Sequence, residues 1–317
     1  MKEGKFVLSW TTLLIAIPVG CAGAMVTLGF RHTIEWLNRL LFGTTDDITQ
    51  AMHVWPWFLW PVIVGAGGVV AGFFLRYAVA LEKKQRVSTD YLAVLNARLD
   101  AVPTRTSLFR AFSSIASIAS GASIGKEGPM VQLSALCGSI IARCLPVRIY
   151  LKNGDVVAMA AAAGLASVYH APLASAIFVA EVAFGISALQ RLIPLVIASG
   201  TSVMTMWLLG YRSALYPLAD VRFDVSVSSI LMVIVIGLVC GLTGAGFITL
   251  AGYSKKQFSR IRSLPLRLGA GGVAVGLLAI CSTDILGDGY EVIINIFSGH
   301  YLFPGLLMLL VLKLLAT

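Results

Sequence analysis

The 317-residue chain is 58% hydrophobic and only 12% charged, with a mean hydropathy of +0.87. A soluble chain would carry about twice that charged fraction, so composition places this one in a membrane. The net charge of +9 is clustered in loops between apolar runs, which fits membrane orientation and argues against a nucleic-acid surface.

The five cysteines (Cys21, Cys137, Cys144, Cys240 and Cys281) lie in or beside apolar segments without CxxC spacing. Neither a disulfide framework nor a metal site is indicated. Lys2 and Lys5 precede an apolar run that continues to Phe30, longer than a cleaved signal's core of about 7–15 residues, so it reads as a retained first membrane helix. That helix is predicted over residues 6–41, interrupted by Pro18 and Gly20. A loop over 43–55 carries Asp46 and Asp47 and no lysine or arginine, and a second span covers 56–75 with Trp55, Trp57 and Trp60 as interface anchors. Residues 76–110 then hold Arg76, Lys83, Lys84, Arg86, Arg98, Arg105 and Arg110. By the positive-inside rule this segment and the N-terminus are cytoplasmic and the Asp46–Asp47 loop is outside.

Within the basic segment, Ser88-Thr89-Asp90 precedes Tyr91, Leu92, Val94, Leu95 and Leu99, the pattern of a capped amphipathic helix. Two roles stay open for it: a cytoplasmic surface helix, or a helix N-terminus aimed at an anion. The next stretch, Gly121-Ala-Ser-Ile-Gly-Lys-Glu-Gly-Pro-Met-Val-Gln132, is a polar knot between small-residue segments at 109–120 and 130–141. Pro129 suits the first turn of the second helix, and Gly121, Gly125 and Gly128 leave the backbone bendable and its amides uncovered. Both flanks lie beside basic loops, the second with Arg143, Arg148 and Lys152, so the pair enters and returns on one side. A break at depth is tolerated only if buried or lining a cavity. The free amides of such a helix start favour an anion, and Glu127 would compete with a soluble one for them. In a soluble protein the same residues would be an ordinary loop, but ionisable groups inside membranes are functional by default.

Residues 156–185 form a small-residue surface broken at Ala171-Pro172, with His170 before the break and Glu181 near the end. A proton relay or metal site at His170 and Glu181 is outweighed by plain helix-end roles. Further spans are predicted at 190–209, 225–251 and 266–281, with a mixed-charge loop at 211–224 and a third basic cluster at Lys255, Lys256, Arg260 and Arg262. Gly287-Asp-Gly-Tyr290 starts a short segment to Gly299, and residues 303–315 are apolar. Enzyme readings find little support. The 121–127 stretch lacks the first P-loop glycine and the Ser/Thr after lysine, and no HExxH or catalytic carboxylate pair occurs. An intramembrane hydrolase and a cation-coupled solute transporter are the weaker alternatives; the second would place several acidic groups at the midplane, where only Glu127 qualifies.

The sequence resembles the ClC chloride channel and transporter family, in its bacterial voltage-gated branch. The signature GREGPxVQ appears as Gly125-Lys126-Glu127-Gly128-Pro129-Met130-Val131-Gln132, and AAAGLAxxFxAPL as Ala161–Ala166 through Tyr169 and Ala171-Pro172-Leu173, followed by Phe178 and Glu181. The Gly287–Tyr290 turn matches a third motif. The resemblance implies an all-α polytopic membrane protein of inverted-repeat fold with broken and re-entrant helices. Its halves would be residues 1–209 and 210–317. It also implies a homodimer in the inner membrane, with chloride or another small anion as the transported ion and no cofactor. Glu127 would be the gate, with Gly125, Lys126, Gly128 and Pro129 around the anion.

Three departures bear on this. The family's GSGIP serine loop is missing, leaving Ser88 or Thr89 as the hydroxyl at that place. The glutamate pair that passes protons in many of the family's exchangers reads Glu181-Val182, which favours passive channel-type flow over proton-coupled exchange. The chain also stops before the family's GxFxP motif, so the second repeat is expected to be incomplete and the chain alone unstable or inactive.

Overall fold

The computed structural model describes residues 9–43, 48–85, 91–95, 101–144, 153–185, 188–212 and 226–317. Within them every regular element is a helix: α1 (Trp10–Phe42), α2 (Ile48–Met52), α3 (Trp60–Gln85), α4 (Tyr91–Leu95), α5 (Thr104–Ala119), α6 (Glu127–Cys144), α7 (Asn153–Tyr169), α8 (Pro172–Phe184), α9 (Ala188–Leu208), α10 (Val227–Phe258), α11 (Leu264–Ala279), α12 (Tyr290–Phe297) and α13 (Phe303–Ala316). Among the described residues, four spans, in α1, α3, α9 and α10, are long and apolar enough to cross a membrane.

The ends follow local chemistry. Ser9 caps α1, its hydroxyl accepting from the Thr12 amide at 3.3 Å, and Gly43 closes it in the left-handed region at φ 73°. Several boundaries differ from the sequence reading: α3 runs past 75 to Gln85, taking Arg76, Lys83 and Lys84 into the helix, and α6 covers Glu127–Cys144 rather than 130–141. Helix α10 runs past Ala251 to Phe258, taking Lys255 and Lys256 into its last turn, where cations complement the helix dipole. Helix α5 begins at Thr104 rather than 109, because Pro103 fits just ahead of a first turn. The loops holding Asp46, Asp47, Arg148 and Lys152, most of 211–224, and the expected cap at Ser88, Thr89 and Asp90 lie outside the described residues.

Helix α7 is the hub of the first core. Its Ala158 and Ala160–Ala163 are buried among α1, α6, α8 and α9. No large side chain separates these helices: a Cβ at Gly23 would meet Ala163, one at Gly138 would overlap Ala160, and one at Gly164 would overlap Ser134. In a lipid environment such close approach supplies the dispersion energy that the hydrophobic effect cannot. Hydroxyls tie the same helices together, Ser202 donating to the Ala163 carbonyl at 2.8 Å and Ser167 to Thr27 at 2.8 Å.

A second joint is made by α3 and α11, which pack antiparallel. A Cβ on Gly72 would overlap the Pro265 backbone, and one on Gly276 would overlap that of Pro61. Likewise Gly68 faces the Leu268 carbonyl while Gly272 faces that of Val64. The contact is a mirror of itself under one constant shift: Pro61 corresponds to Pro265, Gly65 to Gly269, Gly68 to Gly272 and Gly72 to Gly276. The sequence carries the repeat openly, as PVIVGAGGVVAG from Pro61 and PLRLGAGGVAVG from Pro265. By contrast, α10 has no buried residue among those described.

Candidate functional site

The break between α5 and α6 is built from a helix stop and a helix start. Helix α5 closes with the Ala122 amide donating to the Ser117 carbonyl and Gly121 to Ile118, both 3.0 Å, with Gly121 at φ 93°. This paired closure satisfies carbonyls that lipid would leave stranded. Glu127 then opens α6, with Pro129 in its first turn. The Met130 amide is engaged by the Lys126 carbonyl at 3.3 Å and Pro129 has no N–H, so the amides of Glu127 and Gly128 are the helix-start donors in the GKEGP motif. The far end of α6 returns to the start of α5: Val102 donates its amide to Ser139 Oγ at 2.9 Å, and Arg143 donates to the Val102 carbonyl at 2.9 Å. The pair therefore begins and ends at one level, as read from its basic flanks.

The Glu127 carboxylate folds back over Gly125, where a Cβ would overlap Oε2. A side chain at 125 would displace the carboxylate from this position. Its other oxygen, Oε1, accepts a hydrogen bond of 2.7 Å from the Tyr290 hydroxyl. Tyr290 is the first residue of α12, after Gly289 at φ 83°. Lys126 pairs with Asp288 at 2.6 Å and its ammonium also lies 4.7 Å from the Tyr290 ring centroid. Thus two motifs far apart in the chain, GKEGP and GDGY, close on each other.

The turn bearing GDGY is held from below. Lys313 of α13 donates to the carbonyls of Ile285 at 2.8 Å and Gly287 at 2.9 Å. Above it lies a cavity of about 190 Å³ lined by Arg31, Glu35 and Asn38 of α1 and by Lys126, Asp288 and Tyr290. Asn38 is buried, and its Oδ1 has no hydrogen-bond partner among the described residues.

Of the sequence-predicted residues, Gly125, Lys126, Glu127, Gly128 and Pro129 come together as one helix start. Ser88 and Thr89 lie outside the described residues. Glu181 and Val182 sit on exposed positions near the C-terminal end of α8. His170 takes the left-handed conformation, φ 53°, at the α7–α8 break, and no cluster of metal-binding side chains occurs among the described residues. Sequence reading assigned no role to Tyr290 beyond its turn and none to Asp288, and it passed over Lys313. The last was a lone cation inside an apolar run and could have been singled out as such.

A helix start whose carboxylate is bonded to the first residue of a second helix, next to a cavity lined by charged residues in an all-helical apolar chain, fits a membrane protein of the ion-transport class. A family model described as voltage gated chloride channel matches residues 67–317. A ClcB-like protein of Ralstonia nicotianae is 36% identical over 312 residues, covering 96% of this chain and 72% of the relative. The voltage-gated ClC-type chloride channel ClcB of Citrobacter koseri is 34% identical over 313 residues, covering 96% and 73%. Among solved structures, a CLC-type fluoride/proton antiporter aligns with a TM-score of 0.75 at 20% identity, over 98% of this chain and 76% of that one. The chain belongs to the voltage gated chloride channel family, and its fold is that of these transporters.

Proposed function

We propose that the protein carries chloride or another small anion across the bilayer, by passive channel-type flow gated by Glu127. The observation that carries this reading is the Glu127 carboxylate at the first turn of α6. A bound anion and an ionised carboxylate would draw on the same amides and dipole, so one excludes the other. Gly125, Lys126, Gly128 and Pro129 shape that site, and Ser88 or Thr89 is the hydroxyl proposed to serve the anion. Membership of the family and the names of the relatives support chloride as the ion.

The two halves, residues 1–209 and 210–317, act as inverted repeats, a reading supported by the mirrored α3–α11 contact. Two copies of the chain form a dimer in the inner membrane, with the N-terminus in the cytoplasm. Lys83 and Lys84 at the end of α3, and Lys255 and Lys256 at the end of α10, fit that orientation.

The second reading is proton-coupled exchange, and one observation favours it: a slow cyanobacterial Cl−/H+ antiporter shares the fold, with a TM-score of 0.76 at 20% identity. Against it, Val182 has no ionisable group to pass a proton beside Glu181. Liposomes containing the protein, expressed from its native reading frame, decide the matter when anion efflux and internal pH are recorded together. Channel-type flow gives efflux without uphill proton movement; fixed-ratio proton movement driven by a chloride gradient selects exchange instead. Glu127→Gln should raise basal efflux and flatten its pH dependence, and an unchanged response would remove Glu127 from the gate.

A further inference from the structure

We propose that Tyr290 is the latch of the gate: its hydroxyl holds the ionised Glu127 carboxylate in the closed position and releases it on protonation. The inference rests on Glu127 being that gate. Three features fix the phenol before the carboxylate arrives. Gly289, at φ 83°, turns the chain into α12, and the Tyr290 amide donates to Asp288 Oδ1 at 3.3 Å. The Lys126 ammonium covers the ring, and Asp288 anchors that ammonium. A phenol so placed has little freedom left to lose when it donates to Glu127 Oε1.

The sign of the effect follows from the chemistry of donor and acceptor. An ionised carboxylate accepts only, so the neutral phenol donates to it in a charge-assisted bond. A protonated carboxyl is a much poorer acceptor, so the latch favours the charged, closed gate over the neutral, open one. The other charged or titratable groups around this pair are Lys126 and Asp288 from the flanking turns, Glu291 beside Tyr290 on α12, Lys313 behind the Gly287–Gly289 turn, and Tyr169 at the end of α7. Arg31 and Glu35 of α1 lie across the cavity and are paired to each other at 2.7 Å. The latch joins α6 to α12, so the gate state is set by a contact between residues 163 positions apart.

The test uses reconstituted protein with Tyr290→Phe, Glu127→Gln and both together. Tyr290→Phe should raise efflux at neutral pH several-fold and move the midpoint of acid activation upward by about one pH unit, as loss of one charge-assisted bond implies. In the Glu127→Gln background it should add nothing. Incorporating 3-fluorotyrosine at position 290 keeps the shape but makes a stronger donor, and should move the midpoint the other way. A Tyr290→Phe protein that elutes as wild type yet keeps the wild-type profile, or that conducts less, overturns the latch while Glu127→Gln still opens the pathway. If Glu127→Gln itself changes nothing, the gate reading fails and the latch falls with it.

Discussion

Lys313 lies 2.9 Å from the carbonyl oxygen of Gly287, an ammonium from one apolar helix supporting the turn that carries Tyr290. Its bond to Ile285 makes the support two-pronged. Buried carbonyls in an apolar setting have no water to fall back on, so the cation is satisfied and satisfying at once.

Lys313→Met removes both donations and keeps the length of the side chain. Each orphaned carbonyl is worth about 1–3 kcal/mol, so a clear fall in thermal stability is expected. Detergent-solubilised protein followed by temperature-dependent size exclusion measures it. Lys313→Arg, which retains charge and donors, should lose less. Equal behaviour of Met and wild type would show that the turn stands without this support.

The mirrored contact of α3 and α11 predicts mirrored costs. Gly68→Ala and Gly272→Ala each drive a methyl into the opposing backbone, at Leu268 and Val64 respectively. Overpacking of this kind costs about 1–3 kcal/mol. The two variants should destabilise by the same amount in the same melting assay. Gly29→Ala and Gly244→Ala, where a Cβ meets open space, are the controls and should be neutral or mildly stabilising. Unequal losses at Gly68 and Gly272 would contradict the symmetry of the joint.

Asp155 and Arg191 pair at 2.8 Å with side chains only 7% and 14% exposed, and the guanidinium lies 4.4 Å from the Phe184 ring centroid. The pair joins the start of α7 to α9 beside the end of α8. Asp155→Ala takes the carboxylate from a buried cation, a change that costs about 3–5 kcal/mol. A loss of folded yield is expected, while the double variant Asp155→Ala, Arg191→Met should recover part of it. A double variant no better than the single one would argue that the pair is more than a mutual neutralisation.

Much of this architecture is written locally. The GKEGP break is legible because Pro129 and three glycines say where the backbone bends, and the break at Ala171-Pro172 is equally plain. Helix limits were less legible: hydropathy falls at Lys255, but lysine and glutamine extend a helix well, so α10 continues to Phe258. The repeat beginning at Pro61 and Pro265 was visible as matching letters, yet its meaning needs the antiparallel packing. The bond from Tyr290 to Glu127 could not be read from spacing, since no periodicity links residues on separate helices of a bundle. The same holds for Lys126 and Asp288, each unremarkable until the other is placed beside it.

The joint between α3 and α11 also sets a clock. Sliding or shear between packed helices proceeds by rearranging the side chains caught between them, and such collective motion occupies microseconds to milliseconds. Here Gly68, Gly72, Gly272 and Gly276 rest on opposing backbone, so few side chains, Val69 and Val273 among them, are left to rearrange. Rotation of a single side chain is faster by orders of magnitude. On the gating proposed above, with this joint holding still, the dwell time between openings would be a property of the Glu127 carboxylate and the phenol it must leave, and noise in single-molecule recordings should carry their lifetime rather than that of a moving helix.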